Sequence, residues 1–350
     1  METLKLRQGH FYLLLLVLAG ALGFVEYGGM VKPRGALLTT LVFWTMLIQG
    51  CVALAAVTEL IGARWIASLR RELLAACPLQ LLVIVLYLLM LPQLGLYPWT
   101  EEPGRWLNPS FFIGRSLVLL VLCYWAGRRF ARASLAGSEA KKPWAVTYLA
   151  LFVTTQSLVG FDWVMSLEYP WYSSLFGAYF FVEALYCGIA LSALLFLFVH
   201  RSREGRDPDR ARRHLGDVGT LLFGFSVLWV GLFFTQYLLL WYGNLPEEVG
   251  FILRRISTAP FLALCWLLIV ASFLVPFTVL ISRRAKGHPA VLGAVAATVL
   301  AGQLMEKLLF ILPVVPLHFG SLVTQFVLVA GTWLLTVHSS EWLLPASDSQ

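Results

Sequence analysis

The sequence predicts an all-α polytopic membrane protein, and three observations carry that prediction. Of its 350 residues 59% are hydrophobic and only 13% charged, with a mean hydropathy of +0.78; a water-soluble globule of this size needs more polar surface. Several apolar runs reach the roughly 20 residues with which a helix crosses a hydrocarbon core of about 30 Å. The alternating pattern of barrel strands is absent, and helices are the other way to satisfy a backbone in lipid.

Read in order, the apolar runs give ten spans, at about 11–29, 36–60, 73–95, 112–130, 144–161, 173–200, 215–242, 257–281, 289–312 and 318–338. Lys5 and Arg7 precede the first span, but no small-residue cleavage site followed by a soluble stretch appears, so it reads as a retained helix. The second and fifth spans carry uncharged polar groups, Thr45 and Gln49, then Thr154, Thr155 and Gln156. Pro170 stops the helix before the sixth. Loop lengths divide the spans into two groups of four, at about 36–161 and 173–312, with 11–29 and 318–338 peripheral, all in one integral membrane domain.

Orientation follows from Lys and Arg. Assigning loops alternately to two sides places nineteen of the 26 basic residues with the two termini and six on the other side, leaving Lys307 inside the ninth span. The positive-inside rule then puts both termini in the cytoplasm. The basic run between His200 and His214 reads as a cytoplasmic connector rather than a nucleic-acid site.

The opposite face is acidic and aromatic. It holds Glu101 and Glu102, Asp162 and Glu168 within FDWVMSLEYPWYSS, and Glu247 and Glu248 within WYGNLPEEVG. The Trp and Tyr residues there are expected interfacial anchors. The two carboxylates of the 161–174 stretch are free to cap helices, contact a partner or exchange protons.

Redox groups are weighed by their ligands. The five cysteines stand singly inside spans, without C-x-x-C or C-x-x-C-H, and the six histidines fall near span ends or in loops. Neither a cluster, a c-type haem nor a b-type haem is expected to be bound by this chain.

Ionisable residues at depth are the distinctive feature. Glu183 lies about ten residues into the sixth span, and Glu306 with Lys307 about one and a half to two turns from the outer end of the ninth. Such groups are costly in lipid, find partners and mark ion or proton routes. Adjacent residues on a helix point about 100° apart, so Glu306 and Lys307 cannot both face one partner well. Glu183 is therefore expected to pair with Lys307, leaving Glu306 to a hydrated cavity as the proton-carrying acid. Gln236 and Tyr237, beside Thr235 on the seventh span, are candidates to bridge these acids to the acidic face, or plain interhelical glue.

The stretches FDWVMSLEYPWYSSLFGAYFF and LLFGFSVLWVGLFFTQYLLLWYGNLPEE, with LNPSFFIGRSLVLL and MEKLLFILP more loosely, resemble the ActF-type membrane subunits of bacterial alternative complex III. These belong to the NrfD, or polysulfide reductase membrane-subunit, superfamily. The resemblance implies two four-helix bundles in a bacterial inner membrane. It also implies a cofactor-free subunit of a quinol:electron acceptor oxidoreductase, contributing to proton translocation and scaffolding beside an ActC-like quinol-oxidising subunit. Quinol would belong to the complex, as would iron–sulfur clusters and haem c in partner subunits, and a terminal oxidase and lipids would be further partners. Glu101, Glu102, Glu247 and Glu248 would face those partners, while Asp162, Glu168, Gln236, Tyr237, Glu183, Glu306 and Lys307 would be proton-path candidates. The chain departs from the family pattern: Gln303 and Glu306 stand where the ninth helix carries His and Asp, Lys307 replaces an apolar residue, and Glu183 a small or hydroxyl one.

Two other readings stay open, an NrfD-type quinol-binding anchor of another metalloenzyme and a secondary transporter with Glu and Lys as coupling groups. Paired Gly/Pro interruptions of the transporter kind are not seen. The charge asymmetry predicts that a reporter fused after Gln350 behaves as cytoplasmic; phosphatase activity on the far side of the membrane would overturn the ten-span topology.

Overall fold

In the computed structural model, residues 8–28, 34–63, 65–197 and 208–339 are described. Lys5, Arg7, Lys32, most of the basic run between His200 and His214 and the terminal Gln350 lie outside them. The described residues contain ten helices long and apolar enough to cross a membrane, so the protein is an all-α polytopic membrane protein.

The helices follow the expected order. α1 (Gln8–Tyr27) and α2 (Arg34–Leu60) are the first two spans. The third is assembled from α3 (Arg70–Leu74), α4 (Ala76–Met90) and a 3-10 turn, Leu91–Leu96. α5 (Pro109–Leu135) starts at Asn108, whose side chain accepts the Phe111 N–H at 2.9 Å, with Pro109 in the first turn where its missing N–H costs nothing. α6 (Lys141–Leu158) runs into a π-helical turn, Val159–Val164, and a 3-10 turn, Met165–Glu168. α7 (Leu175–Leu195) and α8 (Pro208–Gly243) follow.

One element differs from the sequence reading. Residues expected in a loop form α9 (Pro246–Ile256), with Glu247 and Glu248 in its first turn and Arg254 and Arg255 in its last. That charge order complements the helix dipole and explains why so short a segment is helical. The eighth span is α10 (Ala259–Ile269) and α11 (Val275–Leu280), joined by a π-helical segment, Val270–Leu274. After the short α12 (Arg283–Lys286), α13 (Pro289–Ile311) and α14 (Phe319–His338) complete the chain.

α2 packs against α4 and α6, and α5 against α4 and α6; α7 packs against α8 and α13, with α10 and its π segment against α13. α1 and α14 pack on each other and on α2 and α4. The most extensive contact in the molecule is between α2 and α7. It is made backbone to backbone: a Cβ on Gly50 would fall 1.9 Å from the Ala184 carbonyl oxygen, and one on Gly188 2.5 Å from the Gly50 oxygen. Small residues are what permit such approach where lipid supplies no hydrophobic drive between helices. The hydroxyls of Thr39, Thr40, Thr45 and Thr58 on α2 each donate to the carbonyl four residues earlier, so these buried hydroxyls are satisfied within the helix.

Substituting Gly50→Ala forces α2 and α7 apart and is expected to cost at least about 1–3 kcal/mol. Gly20→Ala, where an added Cβ meets nothing within 4 Å, is expected to be neutral. Thermal unfolding of the two variants in detergent checks the contrast.

Candidate functional site

Two helices bring the deep ionisable residues together. Tyr179, Glu183 and Tyr186 are spaced four and three residues apart on α7 and so share one face. Gln303, Glu306 and Lys307 lie on the buried side of α13. Glu183, Glu306 and Lys307 are each 0% exposed.

The Lys307 ammonium donates to Glu183 Oε2 at 2.6 Å, which is the pair the sequence suggests. Its long side chain also brings Nζ within 3.7 Å of Glu306 Oε2. Nζ lies 4.3 Å from the centre of the Phe180 ring and 5.0 Å from that of Phe310, and both ring faces favour the cation. Glu306 is not left to a hydrated cavity as expected. Its Oε1 accepts from the Tyr179 hydroxyl in a short hydrogen bond and its Oε2 from Trp229 Nε1 at 3.4 Å. The reason is crowding: α7 and α8 close over the acid with two aromatic donors.

The π segment Val270–Leu274 packs against this cluster. Its Ser272 accepts the Tyr186 hydroxyl on the backbone oxygen at 2.8 Å, and Gln303 Nε2 lies 3.5 Å from Ser272 Oγ. Gly302 allows the approach, since a Cβ there would meet Ser272 Oγ at 2.4 Å. Two buried acceptors of this cluster find no hydrogen-bond partner, Glu183 Oε1 and Gln303 Oε1.

Beside the cluster a cavity of about 430 Å³ opens between α7, α8, α9, α10 and α13. Its walls are overwhelmingly apolar, with Phe251, Trp266 and Phe310 among them, and its polar groups include Tyr179, Gln236 and Arg255. Tyr179 therefore touches both the cavity and Glu306. Gln236 and Tyr237 line the cavity but reach neither acid: Gln236 Oε1 accepts from Ser173 Oγ at 2.6 Å, and Tyr237 is exposed. The residues that do contact Glu306, Tyr179 and Trp229, were not singled out in the sequence. Tyr179, one turn before Glu183, offered a periodic signal, whereas Trp229 is one ring among many.

The carboxylates of the 161–174 stretch are both held by arginines. Asp162 accepts Arg115 Nε at 2.7 Å and Trp106 Nε1 at 3.3 Å, while Arg115 Nη1 donates to the Trp106 carbonyl at 2.6 Å. Glu168 accepts Arg255 Nη2 at 2.5 Å, with Arg254 at 3.7 Å. Arg255 also donates from Nε to the Leu309 carbonyl at 3.1 Å and from Nη2 to that of Phe310 at 3.2 Å, capping α13. Burial holds this guanidinium below its ordinary pKa, and Glu168 opposes the shift. Glu101, Glu102 and Glu247 are exposed and Glu248 half-buried.

Three further polar groups complete the picture. Gln156 Nε2 donates to Gln49 Oε1 at 2.9 Å between α6 and α2, an uncharged link. Glu26, unnoticed in the sequence, is 2% exposed and accepts Gln93 Nε2 at 2.6 Å and Gln325 Nε2 at 2.7 Å, fastening α1 to α14. Glu59 holds Arg70 at 3.1 Å and Lys141 at 3.0 Å. Among the described residues no group of three or more His, Cys, Asp or Glu is placed to hold a metal. No protein-family model matches the chain, and no curated protein matches it.

Removing one member of a buried pair costs about 3–5 kcal/mol, whereas replacing the whole pair by apolar groups of similar volume is often neutral. Lys307→Met alone is thus expected to lower thermal stability more than Glu183→Leu combined with Lys307→Met, as measured by unfolding of the purified protein.

Proposed function

We propose that this chain is a membrane subunit of a respiratory quinol:electron acceptor oxidoreductase of the alternative complex III type, and that its buried cluster exchanges a proton. The observation that supports this reading is a charge count. Two carboxylates, Glu183 and Glu306, share one ammonium, Lys307, in a core where all three are fully buried. Fully ionised, the cluster carries one uncompensated negative charge, which a dry interior penalises by several kcal/mol. One proton on the carboxylates removes it. A site whose neutral state needs one exchangeable proton suits a coupling role and has no obvious use in a scaffold.

The setting is the bacterial inner membrane with both termini cytoplasmic, in keeping with the basic asymmetry of the loops. The partners are an ActC-like subunit, an iron–sulfur subunit and haem c subunits, with a terminal oxidase as electron acceptor and lipid around the exposed apolar faces. The acidic face, with Glu101, Glu102, Glu247 and Glu248, meets the redox subunits. Asp162 and Glu168 serve there as anchors, being ion-paired to Arg115 and Arg255.

The cavity favours a second reading, a quinol-binding anchor. It is of ligand size, almost wholly apolar, and touches Tyr179, which is bonded to Glu306. Quinone extracted with the isolated chain would favour that reading over a subunit that leaves quinol chemistry to its neighbour.

The test is proton release in vesicles containing the assembled complex. Either Glu183→Gln or Glu306→Gln leaves one carboxylate facing one ammonium, neutral without the extra proton, so each is expected to lower the protons released per quinol oxidised. Unchanged stoichiometry with normal electron transfer in both variants would make the cluster structural.

A further inference from the structure

The proposed cluster has two acids, and the hydrogen-bond geometry treats them differently. Glu306 Oε2 faces Trp229 Nε1 at 3.4 Å and Lys307 Nζ at 3.7 Å. An indole N–H and an ammonium only donate, so a proton on that oxygen would meet donors and no acceptor. Glu306 Oε1 already receives the Tyr179 hydroxyl. Its hydrogen-bond and ion-pair contacts all favour the anion, and the one opposing neighbour is the Glu183 carboxyl group, with which it competes for a single proton.

Glu183 is the reverse case. Its Oε2 accepts the ammonium at 2.6 Å, but its Oε1 is buried with no partner. An anionic oxygen left bare in an apolar interior is the costlier arrangement, and a proton there meets no opposing donor. Of the ionisable groups around it, the Glu306 carboxylate is the like charge and the Lys307 ammonium the opposite one. On α7 the others are Tyr179, Tyr186 and Cys187, and α2 brings Cys51 near Cys187. α8 supplies Trp229, and the π segment supplies Ser272.

We infer that Glu183, rather than Glu306, carries the exchangeable proton of the cluster, and that Glu306 is its fixed anion, held by Tyr179, Trp229 and Lys307. This rests on the proton-exchange reading above. It also reverses the role that depth in the sequence suggests, because position along a helix says nothing about which oxygen is surrounded by donors.

Infrared spectroscopy of the purified complex tests it through the C=O stretch of a protonated carboxyl group, whose frequency changes when the acid is shortened by one methylene. Glu183→Asp is expected to shift one such band and Glu306→Asp to leave it in place. If Glu183→Asp fails to assemble, Glu183→Gln, which keeps the side-chain length, takes its place, with loss of the band as the readout. A band that shifts in Glu306→Asp instead would overturn this assignment while leaving proton exchange intact. If no protonated-carboxyl band responds to substitution at either position, both acids are ionised and the proton-exchange reading itself fails.

Discussion

The rest of the structure depends on how closely two backbones meet. Lipid offers no hydrophobic reward for bringing helices together, so association rests on packing and on polar contacts. At Gly50 and Gly188 the main chains of α2 and α7 touch with no side chain between them. The carbonyl that fills the space over Gly50 belongs to Ala184, the residue after Glu183. A step of one residue turns a helix by about 100°, so with Ala184 set against α2, Glu183 points elsewhere, and there it finds Lys307 of α13. The glycine crossing therefore joins the two halves and aims the carboxylate.

Charge is managed differently at the two depths. At the acidic face Asp162 and Glu168 each have their own guanidinium, and each guanidinium has additional work: Arg115 binds the Trp106 carbonyl, and Arg255 caps the last carbonyls of α13. Those extra bonds offset the desolvation that makes a bare buried pair a poor source of stability. They also fix the end of α13, only three or four residues beyond Glu306. Deeper in, the accounting is one cation short. Pairing at the face ties helix ends together, and on the proposed reading the mismatch inside is what lets a group change its protonation.

How much of this the residues themselves announce varies with the physics involved. The ten spans are legible because hydrocarbon thickness imposes a length, and the observed helices start and stop close to the expected places. Eleven residues fall short of a span, so the segment of α9 reads as a loop, although Pro246, the two glutamates after it and the two arginines at its end mark a helix. The π turns at Val159–Val164 and Val270–Leu274 leave no trace in composition. Glu183 and Lys307 could be paired in advance because a lone charge at depth demands an opposite one. The donors to Glu306 could not, because in a chain that is 14% aromatic any of several rings could have filled that place. Nothing in the sequence marks Glu26, a carboxylate near the end of an apolar run, as a group that two amides bury.

The contrast between the halves sharpens the functional reading. In the first, the deep polar link is Gln156 to Gln49, with the Tyr148 hydroxyl donating to the Gln49 carbonyl at 3.1 Å. These amides and the phenol hydrogen-bond without ionising near neutral pH, so this network binds helices whatever the proton concentration. In the second half the same depth holds Glu183, Glu306 and Lys307, whose total charge changes by one unit with a single proton. Simple adhesion between helices would be met at lower desolvation cost by amides, as the first half demonstrates. Ionisable groups placed where amides would suffice are best explained by the one property amides lack, the capacity to take up and release a proton.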